Sequence, residues 1–414
     1  MLLYIDPGTG SMLFSLVIGI AGAGIFFIRR IALKVKFIVF GGKGGKRDLK
    51  KKGVVIFSDH KRYWTVFKPI CDEFEKRNID VEFWSASPDD PALKEHYNHI
   101  KCLFVGSGNK AYAKLNMMNA HVVVATTPHL DVFQWRRSKN VDLYVHVFHS
   151  LSDGGIYEMF GLDYYDVILS TGAIFEKYER ILEQKRNLPA KEIVTCGLTY
   201  LDVMQKKILK NQSKKDAEKI TVLLAPSWGK SGILSSYGSR IIDPLLASGY
   251  AIIIRPHPQT VMSERSVLDT LMKHYPNSNI LEWNFDNDNF DCLNRSDILI
   301  SDFSRIVFDY ALVFDKPVLY TIANYNSATY DSAWFDEPSY FIQCLPYIGQ
   351  ELHDDDLPDI RNAIQRALLN RCDGEVRKKL KNDLWACQGQ AAMNIVDYIM
   401  HRLKLIQQSE RNGA

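Results

Sequence analysis

From Gly53 onward, short apolar runs alternate with amphipathic stretches, and this alternation restricts the fold more than any other feature. Runs at Val54–Ser58, Val81–Ser85, Ile100–Val105, His121–Ala125, Leu143–Phe148 and Val167–Ser170 have strand length. Helical patterns such as Trp64–Arg77 and Ala173–Lys185 lie between them. Together they predict βαβ units and a parallel sheet. A second series begins near Ile220, with strands expected at Thr221–Ala225, Ala251–Arg255, Ile298–Ser301 and Val318–Thr321. Its helices are expected over Arg240–Ala247, Val261–Lys273 and Arg305–Val313. The polar stretch Lys206–Lys219 marks the boundary, and Asp359–Leu405 reads as two helices around Cys372-Asp373-Gly374. No internal repeat recurs at a fixed short period.

A chain of 414 residues suits two domains of ~150–200 residues plus extras. The predicted fold class is therefore α/β, with two Rossmann-like domains facing across a cleft in the GT-B-like manner. Residues 53–210 form the first, acceptor-side domain and residues 219–408 the second, nucleotide-donor domain. Seven dispersed cysteines without a C-x-x-C pair argue against a disulfide framework or zinc site and fit a reducing compartment.

Residues 1–52 read as a membrane anchor and basic linker. Met12–Ile28 is a 17-residue uncharged run, at the short end for a spanning helix. Ten Lys/Arg fall within residues 1–52 against two Asp, and all ten follow the apolar run. The positive-inside rule then predicts a single-pass helix in the cytoplasmic membrane with the catalytic body on the cytoplasmic side. A cleaved signal peptide needs its positive charges ahead of the apolar run instead. Gly41–Lys46 reads as a flexible linker, because Arg47 stands where a P-loop needs Ser or Thr. Beyond residue 52 the balance is 41 basic to 46 acidic residues, which carries no nucleic-acid signature.

Ligands in doubly wound folds bind at the carboxyl ends of the strands, so polar motifs at strand ends are where chemistry is expected. Ile252–Ile254 runs into Arg255-Pro256-His257-Pro258, where two prolines stiffen a loop presenting an arginine and a histidine. Arg255 is suited to forking onto a phosphate, and His257 to donating to one or protonating a leaving oxygen, or merely to satisfying a loop carbonyl. Ile298–Ile300 runs into Ser301-Asp302-Phe303-Ser304-Arg305, then a helix. Ser304, or Ser301 and Asp302, sits where an N-cap belongs, and the exposed N–H groups of that helix favour an anion such as a diphosphate. Ser227 and Lys230, in the loop after Thr221–Ala225, are further phosphate-binding candidates. In the first domain, Leu143–Phe148 ends at His149 and a Ser/Gly loop, which makes His149 the candidate base and His146, inside the strand, the alternative. Asp354-Asp355-Asp356 reads as a helix-start cap, and no metal or other cofactor is expected.

These motifs, in this order, resemble the CDP-glycerol glycerophosphotransferase family of teichoic-acid polymerase and primase type over roughly residues 120–400. The resemblance rests on Arg255–Pro258, on Ser301–Tyr310, and on the strand Asp315-Lys316-Pro317-Val318-Leu319-Tyr320. It implies a GT-B-like fold and transfer of glycerol phosphate, or a related alditol phosphate, from a CDP-activated donor. CMP would leave and a lipid-linked or polymeric cell-surface glycan would be the acceptor. His149 would be the base, with Arg255, His257, Ser304 and Arg305 holding the diphosphate. The chain departs from the family pattern after His149, where Ser150-Leu151-Ser152-Asp153 follows, and at Arg305, where relatives usually carry Ser. A GT-B glycosyltransferase and a non-catalytic membrane scaffold are the rival readings.

Overall fold

The computed structural model describes residues 51–210, 219–286, 288–369 and 372–412. The proposed anchor at Met12–Ile28 lies outside them. Among the described residues, no helix is long and apolar enough to cross a membrane.

Seven parallel strands form the first sheet in the order β3-β2-β1-β4-β5-β6-β7. They are β1 (Lys52–Ser58), β2 (Val81–Ser85), β3 (Ile100–Phe104), β4 (Asn119–Ala125), β5 (Asn140–Val147), β6 (Val167–Ser170) and β7 (Glu192–Thr195). The second sheet has six parallel strands in the order β10-β9-β8-β11-β12-β13. They are β8 (Thr221–Leu224), β9 (Ala251–Ile254), β10 (Leu281–Trp283), β11 (Ile298–Ser301), β12 (Val318–Tyr320) and β13 (Gln350–Glu351). Both sheets are buried on both faces, which explains their continuous apolar runs. Val55 and Phe57 of β1 enter one core, whereas Val54 and Ile56 enter another, as the two-residue period of a strand requires. In β8, Leu223 faces the first core and Val222 and Leu224 face a third.

Each sheet reverses strand order at one point, between β1 and β4 in the first and between β8 and β11 in the second. Strand-end loops diverge at such points and leave a crevice.

Three features differ from the sequence expectation. The strands β7, β10 and β13 were not anticipated; they are only two to four residues long. The expected helix Val261–Lys273 is two, Pro258–Ser263 and Arg265–His274, broken at Glu264. Glu264 turns inward instead, accepting from Gly229 N and Ser235 Oγ, both at 2.7 Å. The tail holds three helices, Ile360–Leu369, Gly374–Leu384 and Ala391–Asn412. The last was assigned with the second domain, yet Ile395, Val396, Ile399 and Leu403 pack into the first-domain core beside Val54 and Phe67. Asp202 fixes this return, accepting from Trp385 Nε1 at 3.2 Å and Ala391 N at 3.0 Å.

The two sheets belong to one compact unit, Lys52 onward. One apolar core runs from Phe57 and Tyr144 of the first sheet to Leu299, Phe308 and Phe341 of the second. A segment after β12 straps back across the first domain: Asp331 N donates to Tyr157 O and Ser332 N to Gly155 O, both at 2.8 Å. Beneath the strap, buried Arg186 pairs with Asp163 at 2.7 Å and with Asp331.

Candidate active site in the cleft

The loops at the two reversal points face one cavity of about 570 Å³. From the first domain it is lined by the turn after β1 (Asp59, Arg62, Tyr63), by Pro128 after β4, and by His149 and Ser150 after β5. From the second come Ser227 and Trp228 after β8, Arg255 and His257 after β9, and Ser304, Arg305 and Asp309 after β11. The strand-end motifs of both domains thus converge on one space.

His149 puts Nδ1 3.0 Å from Thr126 Oγ1, and its ring lies 4.8 Å from that of Tyr63. Burial, reinforced by Arg305 and Arg62, holds its pKa well below the ordinary histidine value, so the ring is neutral at pH 7. His146 is elsewhere: wholly buried in β5, with Nε2 3.1 Å from Tyr157 Oη, and pushed down to about 3 by burial. Of the two histidines, only His149 lines the cavity.

His257 caps the helix Pro258–Ser263, its Nδ1 accepting from Gln259 N at 3.1 Å. Burial, with Arg62, Arg305 and Arg255 adding, lowers its pKa to about 4. A neutral imidazole accepting at Nδ1 carries its proton on Nε2. His257 therefore offers an N–H, the donating role of the two that the strand-end motif suggested.

The second-domain candidates divide by what already occupies them. Arg255 is buried, and its two terminal nitrogens donate to Asn284 Oδ1 and, at 2.6 Å, to Asp286 O. It borders the cavity but braces the loop after β10, which corrects the expectation that its fork is free for phosphate. Ser301 is buried with its hydroxyl on Ala225 O at 2.6 Å, and it does not line the cavity. Asp302 is buried as well and accepts from the backbone N–H groups of Ser227 (2.9 Å), Ser304 (3.1 Å) and Ile233 (3.1 Å). Burial raises Asp302 to about 6 while these donors oppose the rise. It ties the β8 and β11 loops together, and a carboxylate among phosphate oxygens would repel them. Lys230 is exposed and outside the lining.

Ser227, Ser304 and Arg305 do face the cavity. Arg305 is the N-cap of the helix Ile306–Val313, and its guanidinium lies 5.9 Å from the Tyr157 ring. Its Nη1 is buried without a protein partner. Asp309, one turn along, is pushed up to about 7 by burial, with Arg305 pulling the other way. Three cavity-lining side-chain atoms have no protein partner: Ser150 Oγ, Arg305 Nη1 and Asp309 Oδ1. Buried polar atoms are nearly always paired, so such a group in one cleft marks a ligand site.

Sequence reading missed Asp59, Arg62, Tyr63 and Asp309 as site residues. Asp59–Tyr63 has the same signature as the chosen loops, an apolar strand ending in a polar turn, but its charges resemble a solvated surface. Asp309 lay inside a recognised motif, and only the burial of its helix shows that it faces the cleft.

Fold and site together define the class: two Rossmann-like domains whose strand-end loops enclose one cleft. The chain belongs to the CDP-glycerol:poly(glycerophosphate) glycerophosphotransferase family, whose pattern matches residues 45–333. Membership makes it an enzyme of the glycerophosphotransferase type. Solved structures share the fold at low identity. The wall teichoic acid polymerase TagF soaked with CDPG is 18% identical, with a TM-score of 0.55 over 92% of this chain and 99% of that one. S. aureus MnaA with UDP is 13% identical, with a TM-score of 0.55 over 86% and 98%. A UDP-GlcNAc 2-epimerase from Methanocaldococcus jannaschii is 12% identical, with a TM-score of 0.53 over 85% and 100%. No curated protein matches the chain.

Proposed function

We propose that this enzyme moves glycerol phosphate, or a related alditol phosphate, from a CDP-activated donor to a hydroxyl of a lipid-linked or polymeric glycan, releasing CMP. The observation carrying this reading is that neutral His149 on one wall faces the same cavity as His257 and the unpartnered Arg305 guanidinium on the other. His149 Nε2 takes the acceptor proton as the hydroxyl oxygen attacks the β-phosphorus. The bond from that phosphorus to the bridging oxygen breaks, and the electron pair leaves with CMP. The Nε2–H of His257, the Arg305 fork and the N-terminus of Ile306–Val313 stabilise the negative charge that builds during transfer.

Glycosyl transfer would load the same arginine, because its departing nucleoside diphosphate also gains negative charge, so the choice between the two reactions rests on the family. The family description supports a CDP-glycerol donor. We further propose that Met12–Ile28 anchors the enzyme in the cytoplasmic membrane, on the strength of the uncharged run and the basic cluster behind it. Incubation with CDP- and UDP-activated donors tests the first part: CMP release from a CDP-alditol supports it, and UDP release from a nucleotide sugar contradicts it. Deleting residues 1–51 tests the second, since a truncated protein still sedimenting with membranes in high salt would rule out the anchor.

A further inference from the structure

The turn after β1 assigns a role to a residue outside every motif. His60 Nδ1 accepts from Arg62 N at 3.2 Å, which tightens the turn before the helix Trp64–Lys76. The turn lays the Arg62 guanidinium 4.8 Å over the Tyr63 ring, and that ring is 4.8 Å from His149. Arg62, Tyr63 and His149 therefore form a contiguous row along the first-domain wall, the two rings tilted by 48°. Across the cavity stands Arg305, whose nearest aromatic partner, Tyr157, belongs to the first domain. Arg305 Nη1 has no protein partner, whereas Arg62 contacts Tyr63 and lies near enough to Asp59 to act on its carboxylate. The carboxylates sharing the cavity are Asp59, Glu158, Asp288 and Asp309.

The influence of the two arginines is crossed between domains. Among charged neighbours, Arg305 of the second domain acts most strongly on His149 of the first. Arg62 of the first domain acts most strongly on His257 of the second. Arg62 and Arg305 line the same cavity as the two histidines, where the transferring phosphorus must lie if His149 is the base.

We propose that Arg62 is a catalytic residue: with Arg305 it grips the non-bridging oxygens of the phosphoryl group in transfer, one arginine from each domain. This rests on the reaction proposed above. While the new P–O bond forms and the bond to the CMP oxygen breaks, negative charge spreads over the oxygens on phosphorus. Two planar, permanently charged forks meet that charge from opposite sides without reorganising. Because the grip needs both walls, it also reports that donor and acceptor domains are correctly juxtaposed.

The test uses the full-length protein with CDP-glycerol, reading CMP release for Arg62→Gln and Arg62→Lys beside wild type. Losing a preorganised donor should lower kcat for Arg62→Gln by about 100- to 1000-fold. Donor KM should change by less than about threefold, the pattern of an interaction made only in the transition state. Arg62→Lys should recover part of the loss, and added guanidinium ion should restore turnover to Arg62→Gly. A cation lowers the pKa of a neighbouring histidine, so its removal should move the acidic limb of the pH profile to higher pH. The shifted limb shows only that the Arg62 charge reaches His149, whereas rescue together with a loss confined to kcat is what a merely structural arginine would not show. Unchanged kcat in Arg62→Gln, a loss confined to KM, or a loss that guanidinium fails to restore would each overturn the role. Active wild type with unaffected Arg62→Gln removes only this inference, whereas wild type that releases no CMP removes the reaction beneath it.

Discussion

His149 Nδ1 lies 3.0 Å from Thr126 Oγ1, and this contact decides which imidazole nitrogen is available. If Nδ1–H donates to the hydroxyl, Nε2 is bare on a residue that lines the cavity. His149→Ala should then lower kcat by ~10²–10⁴-fold, the usual worth of a positioned base. Thr126→Val, nearly isosteric at a buried position, should cost less and leave donor KM unchanged. Steady-state kinetics with a melting curve for each variant checks this; full activity in His149→Ala would exclude it as the base.

Arg305 brings an unpartnered Nη1 to a helix start where the family resemblance implies serine. A charged hydrogen bond of this kind is worth ~1.5–3 kcal/mol, about a ten- to hundredfold effect. Arg305→Ser should weaken donor use by that factor or shift donor preference towards CDP-glycerol. Kinetics on a donor panel decides the matter, and an unchanged ranking with unchanged kcat/KM would strip this departure of functional meaning.

Asp302 illustrates a different outcome. Its carboxylate serves the N–H groups of Ser227, Ile233 and Ser304 inside the protein. Asp302→Ala leaves three donors unserved and should cost ~2–4 kcal/mol of stability. The melting temperature should fall in the absence of any donor; an unaltered melt together with lost donor binding would restore it as a ligand contact.

Asp309 predicts a pH dependence. Its pKa is raised to about 7, so it is neutral below that pH and anionic above it. Donor KM should therefore rise as pH passes through 7, because a negative charge then faces the diphosphate. The stability sign follows from the same shift: between the ordinary carboxyl value and 7 the folded state holds the extra proton, so this group's contribution falls as pH rises. Asp309→Asn should flatten both dependences, as KM profiles and melting curves from pH 5 to 8 would reveal.

Much of this was legible because strand ends declare themselves. Val54–Ser58, Ala251–Arg255 and Ile298–Ser301 were readable as buried strands, and the loops after them build the cleft. What sequence could not supply was direction. Ser301, Asp302 and Arg255 are polar residues at the right strand ends, yet their side chains turn into the protein. Arg62 lies in a charged run that resembles solvated surface, and only the turn at His60 lays it over Tyr63. The strands β10 and β13 are too short for periodicity to register. The return of Ala391–Asn412 to the first domain depends on tertiary partners such as Asp202, nearly 190 residues earlier.

The central claim is that the bond broken lies between the β-phosphorus and the oxygen bridging to CMP. CDP-glycerol radiolabelled at the β-phosphorus, incubated with enzyme and acceptor, tests this most directly. The account predicts that the label moves into the acceptor, that unlabelled CMP accumulates in equal amount, and that His149→Ala stops both. Label retained in a released nucleoside diphosphate would mean that a carbon–oxygen bond had broken, and would contradict phosphoryl transfer by this cleft.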